Sequence, residues 1–175
     1  LYLPLDYHPS GDAAHENAAR AETRDPEEHL APVSSDDARK MVPAADEGLA
    51  GRKVLVVDDD IRNVFAMTSA LETHGMRVLH ADSGKEAIET LKGEGNIDLI
   101  LMDVMMPGLD GLDTMRIVRS LDGYRGVPII AVTAKAMLGD REKCIEAGAN
   151  DYIAKPVNVD VLLATLWRAL QAAHA

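Results

Sequence analysis

Lys53-Val54-Leu55-Val56-Val57-Asp58-Asp59-Asp60 is the stretch on which the fold turns. Four successive aliphatic residues predict a strand buried on both faces, which occurs where helices cover both sides of a parallel sheet. Three carboxylates follow that strand without a spacer. Next come Ile61, Val64, Phe65, Thr68 and Leu71 at helical spacing, with Gly75 as the helix stop.

Working outward, the same alternation repeats four more times. Arg77–His80, Leu99–Met102, Pro128–Val132 and Asp151–Ala154 read as strands. Between and after them, helices are marked by Ala87, Ile88 and Leu91, by Leu112, Met115 and Val118, by the polar run Arg141–Ala147, and by Leu162, Leu166 and Leu170. Strict alternation implies parallel strands joined by right-handed crossovers, hence a five-stranded parallel sheet in a three-layer α/β/α sandwich. Sites in such sheets lie beyond the carboxyl ends of the strands.

Upstream of Gly51 the character changes. Of the net charge of −11 over 175 residues, −7 falls on residues 1–50, which also hold five of the eight prolines. So few apolar groups cannot offset the chain entropy, so residues 6–50 are expected to be a mobile acidic linker. Arg39-Lys40-Met41-Val42 starts a short helix in this reading, and Pro43 stops it. The chain begins at Leu1 without Met, as a fragment would.

Composition excludes several functions. A negative chain with 3% aromatic residues suits neither a phosphate backbone nor a base-stacking platform, so no direct nucleic-acid contact is expected. No apolar run is long enough to span a bilayer, so no membrane contact is expected of these residues. The lone Cys144 rules out an internal disulfide and any zinc site of paired thiolates. That fits a reducing, cytoplasmic setting, with a parent chain that is itself membrane-anchored.

At the strand ends, the first strand delivers Asp58, Asp59 and Asp60, the third Asp103, the fourth Thr133 and the fifth Lys155. Crowded carboxylates repel unless a cation intervenes, and an all-oxygen ligand set favours Mg²⁺. Asp60 is equally suited to cap the following helix. Phosphoryl chemistry accounts for every member: a carboxylate can attack phosphorus, while metal and ammonium neutralise the equatorial oxygens. Asp103 is the expected nucleophile, because it ends a wholly apolar central strand that holds it rigidly.

Lys53–Asp60, Leu101-Met-Asp-Val-Met-Met-Pro-Gly108, Val132-Thr-Ala134 and Asp151-Tyr-Ile-Ala-Lys-Pro156 together resemble the receiver domain of two-component response regulators. The intervals from Asp59 to Asp103, Thr133 and Lys155 (44, 30 and 22 residues in turn) also resemble that family's. The resemblance spans about residues 52–173. It implies a flavodoxin-like fold with strand order 2-1-3-4-5 and a receiver over residues 51–175. Asp103 is then the phosphoacceptor, assisted by Lys155 and Thr133. Asp58, Asp59, Asp103 and the backbone carbonyl of Met105 would hold Mg²⁺, and Thr133 with Tyr152 would form a switch pair. The implied partner is a histidine-kinase or phosphotransfer domain carrying phosphohistidine, and a homodimer is a further family expectation. A cis Lys155–Pro156 peptide is expected too. Met105 cannot orient an attacking water, which implies a longer-lived phosphate.

Asp58–Phe65 further resembles receivers fused behind kinase cores, and Leu1–Leu5 resembles the last strand of a histidine-kinase ATP-binding domain. Together they suggest the C-terminal receiver of a hybrid sensor kinase. Two rivals stand beside this. Asp58-x-Asp60 resembles the opening motif of haloacid-dehalogenase-like phosphatases, although Arg62 departs from it. The other rival is an unphosphorylated interaction module. Cys144 reads as a bystander thiol, and Trp167 as core with a partly exposed ring.

Overall fold

In the computed structural model, which describes residues 32–134 and 138–174, each apolar run becomes a strand and each periodic stretch a helix. The elements in order are α1 (Ser35–Leu49), β1 (Lys53–Val57), α2 (Ile61–Thr73), β2 (Arg77–Ala81), α3 (Gly84–Gly93) and β3 (Leu99–Asp103). They continue with α4 (Gly111–Ser120), β4 (Ile129–Thr133), α5 (Leu138–Glu146), β5 (Asp151–Ala154) and α6 (Val159–His174). The five strands are all parallel, in the order β2-β1-β3-β4-β5. This is the flavodoxin-like order that the resemblance implied.

Burial follows position in the sheet. Every residue of β3 and β4 is buried, whereas edge strand β2 is mostly half-buried or exposed. Alternate side chains enter two separate cores. Val54, Val56, Leu101 and Val132 pack with Leu71 and Leu166 on one face. Leu55, Val57, Ile100 and Met102 pack with Leu91, Met115 and Cys144 on the other. Cys144 is therefore a core residue, and burial pushes its thiol pKa up.

Caps explain where the helices begin and stop. Asp60, Ser83 and Asp110 each accept a backbone N–H of the first turn of α2, α3 and α4. Glu86 completes the start of α3 by reaching back to the Asp82 N–H at 2.7 Å. At the end of α2, Gly75 has φ +77°. This left-handed turn lets the Gly75 and Met76 N–H groups bond back to Glu72 and Leu71.

Residues 35–49 correct the sequence reading. They form one continuous helix through Pro43, not a short helix stopped there nor an irregular linker. An interior proline removes a backbone bond and strains the turn, at about 3 kcal/mol. Packing offsets this: Ala38, Ala45 and Leu49 are fully buried, and α1 lies along α6. Ser34 starts the helix by accepting the Asp37 N–H at 3.2 Å. The expectations for residues 1–31 lie outside the described residues.

Candidate functional site

The carboxyl ends of β1, β3, β4 and β5 converge because parallel pairing aligns them. Asp103 stands opposite Val132, and Thr133 opposite Ala154. Asp58, Asp103 and Thr133 are buried there, and Asp59 is exposed. Oxygens of Asp58, Asp59 and Asp103 lie within 4.8 Å of one another. The Lys155 ammonium donates to Asp58 Oδ2 at 3.0 Å and to Asp103 Oδ2 at 2.9 Å. Five of the predicted residues are thus assembled from four strand ends.

The two carboxylates that Lys155 holds each have a further partner. Asp58 Oδ1 accepts the Asp60 N–H at 2.8 Å and the Asn63 side-chain amide at 3.3 Å. Asp103 Oδ1 accepts the Met105 N–H at 3.1 Å, while the Met105 side chain is 65% exposed. Behind the loop, Gly111 packs so tightly that a Cβ would sit 2.0 Å from the Asp103 carbonyl oxygen. That approach braces the backbone carrying the nucleophile candidate.

Electrostatics follow from burial. Desolvation raises the Asp103 pKa, the Lys155 and Met105 hydrogen bonds work against the rise, and the nearby Asp58 adds to it. For Lys155, burial disfavours the ammonium, but the hydrogen bonds to Asp103 and Asp58 outweigh it and the pKa lies above its usual value. Asp60 behaves differently. Its carboxylate is bonded by the Arg62 side chain at 2.9 and 2.6 Å and by the Arg62 backbone at 3.0 Å. Those bonds lower its pKa to about 2. The third acid of the triplet is a helix cap outside the cluster, as one reading of the sequence held.

Tyr152 is half-buried on β5, and the Arg141 guanidinium lies 5.8 Å from its ring centroid. The Lys155–Pro156 peptide is cis. Sequence reasoning missed Asn63, whose role depends on one turn of α2 bringing it back over Asp58. It also missed that Ile61 and Phe65 are 72% and 75% exposed, with Ile61 lining a pocket beside Asp58 and Asp59. Their helical spacing had read as core; the buried stripe of α2 is instead Val64, Met67 and Leu71.

All candidate ligands are hard oxygens, with neither His nor Cys among them, which fits Mg²⁺. An acidic cluster with one bridging ammonium at the carboxyl edge of a parallel sheet is the arrangement that the resemblance to receiver domains implied. Comparison with known proteins agrees: the response regulator receiver domain model matches residues 54–166, and the chain belongs to this family. It is 39% identical over 122 residues to the signal transduction histidine-protein kinase BarA of Shigella flexneri, covering 70% of this chain and 13% of that one. It is 36% identical over 125 residues to the sensor histidine kinase GacS of Pseudomonas protegens, covering 69% and 14%.

Among solved structures, the receiver domain of sensor histidine kinase PA1611 from Pseudomonas aeruginosa is 39% identical, with a TM-score of 0.65 over 70% of this chain and 99% of that one. That structure has a magnesium ion coordinated in its active-site cleft. Chemotaxis protein CheY4 of Vibrio cholerae is 32% identical, with a TM-score of 0.66 over 69% and 99%. The chain thus corresponds to a whole receiver, but to only about an eighth of the kinases it matches. Among the described residues, no helix is long and apolar enough to cross a membrane.

Proposed function

We propose that this receiver, a module of two-component signalling, takes a phosphoryl group from a phosphohistidine onto Asp103. The supporting observation is the Lys155 ammonium held between Asp58 and Asp103, with three carboxylate oxygens gathered beside it. An Asp103 carboxylate oxygen forms the new bond to phosphorus as the bond to the imidazole nitrogen breaks, and the nitrogen keeps that electron pair. Lys155 stays beside the acyl phosphate and balances its charge. Asp58, Asp59 and Asp103, with the Met105 carbonyl, would hold Mg²⁺, which screens the carboxylates from the incoming phosphate. Thr133 bonds the arriving phosphoryl oxygens, and Tyr152 follows it inward as the surface changes state.

The donor is a histidine-kinase or phosphotransfer domain. Ile61, Phe65 and Met105 put exposed apolar area around the acidic cluster, which suits the apolar face of a helical phosphohistidine carrier. The likeness to BarA and GacS supports reading residues 51–175 as the receiver of a hybrid kinase. The dehalogenase-like alternative needs Asp60 free for proton transfer, and Arg62 and the α2 N-terminus occupy it.

Acetyl phosphate with Mg²⁺, read by intact mass, tests the reading. One phosphoryl adduct is expected on the parent chain and none on Asp103→Asn. An undiminished adduct on that variant would overturn the assignment.

A further inference from the structure

Helix α1 and the preceding Pro32 and Val33 take no part in the chemistry above, yet they are built onto the domain. Near the start of both helices, Arg39 Nε lies 3.5 Å from Asp160 Oδ2 of α6. Further along, a Cβ on Gly48 near the end of α1 would stand 2.6 Å from Trp167 Cδ1 in the middle of α6. The two helices therefore run side by side in the same direction, with backbone pressed against the indole. Ala45 and Leu49 share a core with Leu163, Leu166 and Leu170 of α6. Beyond the helix, the Gly51 N–H donates to the Gly75 carbonyl at 2.8 Å.

At the other end, Pro32 and Val33 wall a cavity of about 320 Å³ shared with Tyr152, Ala154, Val161 and Thr165. β5 is the outer strand of the sheet, so this cavity lies at its open edge. The next residue after Ala154 is Lys155, which holds Asp103 and Asp58. Four residues of β5 and its end thus connect the acidic cluster with the seat of Pro32 and Val33.

We infer that α1 with Pro32–Val33 is a strap seated across β5 and α6, and that phosphorylation of Asp103 unseats it. The inference rests on the phosphoacceptor reading. A phosphoryl group on Asp103 draws on Lys155 and Thr133, and Tyr152 then turns in toward β4 and leaves the cavity wall that Pro32 and Val33 use. The strap has two states because a 15-residue helix interrupted by Pro43 is not stable alone and keeps its form only while docked. While seated it covers the apolar face of α6 that carries Leu163, Leu166 and Leu170.

Trp167 is the chain's single tryptophan and lies under the strap, which makes the test direct. The full chain is treated with acetyl phosphate and Mg²⁺ while intact mass, amide exchange and tryptophan emission are followed. With the adduct present, exchange across residues 36–49 should accelerate by about tenfold or more. Trp167 emission should shift to the red, toward that of Gly48→Leu, which wedges the helix off the ring. Tyr152→Ala should loosen residues 36–49 without phosphate, while β1 and β3 amides stay as protected as in the parent. An adduct with unchanged exchange and emission overturns the strap. A Tyr152→Ala chain whose α1 exchanges like the parent counts against it equally. Absence of any adduct instead overturns the phosphoacceptor reading, and the strap's trigger with it.

Discussion

The Lys155 ammonium stands 2.9 Å from the Asp103 carboxylate, although 52 residues separate them along the chain. It is also 3.0 Å from Asp58, so one cation offsets two buried acids. Lysine and a divalent cation compete for the same oxygens. Lys155→Met should therefore tighten Mg²⁺ binding about fivefold, since a positive charge a few ångströms away is removed. The same change should slow phosphoryl uptake about 100-fold, because the charge developing on the phosphoryl oxygens loses a preorganised donor. Calorimetric Mg²⁺ titration and adduct formation rates separate the two effects; a fall in both would contradict the competition.

Acidification should weaken Mg²⁺ binding earlier than ordinary carboxylates would. Burial raises the Asp103 pKa above 3.8, so Asp103 takes up its proton sooner as pH falls. A protonated carboxyl is a poor ligand, and affinity should drop about tenfold per pH unit below the folded-state pKa. The sign for the metal-free fold is opposite to that of an acid whose pKa folding lowers, because burial here outweighs the Lys155 ion pair. The folded state binds more protons than the unfolded one between 3.8 and the raised value, so this group adds stability as pH falls through that window. Mg²⁺ titrations across a pH series, paired with urea midpoints of the metal-free chain, check both signs.

Arg119 is expected to be a stability residue with no part in phosphoryl uptake. Its guanidinium donates to the Gly148 carbonyl at 2.9 and 2.7 Å, to the Val127 carbonyl at 2.7 Å and to Asn150 Oδ1 at 2.7 Å. It thereby ties α4 to the loops before β4 and β5. Arg119→Ala should cost about 3 kcal/mol, because several partly buried carbonyls lose a charged donor. Arg119→Lys should restore little of it, since an ammonium cannot reproduce the planar fork. Urea midpoints should fall while the acetyl-phosphate adduct still forms on the folded fraction.

The Met105 side chain faces solvent beside Asp103 and has no donor, only a weakly accepting sulfur, with which to orient a water. Met105→Asn supplies an amide that can orient an attacking water, so phosphate loss should speed up about fivefold. A time course matching the parent would contradict this role.

Pro43→Ala returns a backbone donor to the middle of α1. The helix should gain up to about 3 kcal/mol, visible as slower amide exchange over residues 36–49. Unchanged exchange would mean that the proline costs the docked helix nothing.

Much of the fold was legible because its signals are local. Val54–Val57 and Leu99–Met102 read as strands covered on both faces, and alternation with helices favours parallel pairing. The acids after β1 and β3 were legible as a cluster because parallel strands bring their carboxyl ends to one edge. Ile61 and Phe65 were misread, since helical spacing marks two overlapping stripes on α2 and only the sheet's position selects the buried one. Pro43 misled for a related reason: a local rule about helix interiors was overridden by the apolar face of α6.

By itself, the sequence determined the alternation of elements, the identity of the groups at the strand ends and the oxygen-only character of the ligand set, because these depend on residue type and short-range order. Tertiary structure alone decided that Lys155 bridges Asp58 and Asp103, that Ile61 and Phe65 are left exposed, and that residues 35–49 form a helix on α6. The reason is physical: distances between residues far apart in the chain, and the packing that outweighs a helix-breaking proline, exist only once the sheet and its covering helices have assembled.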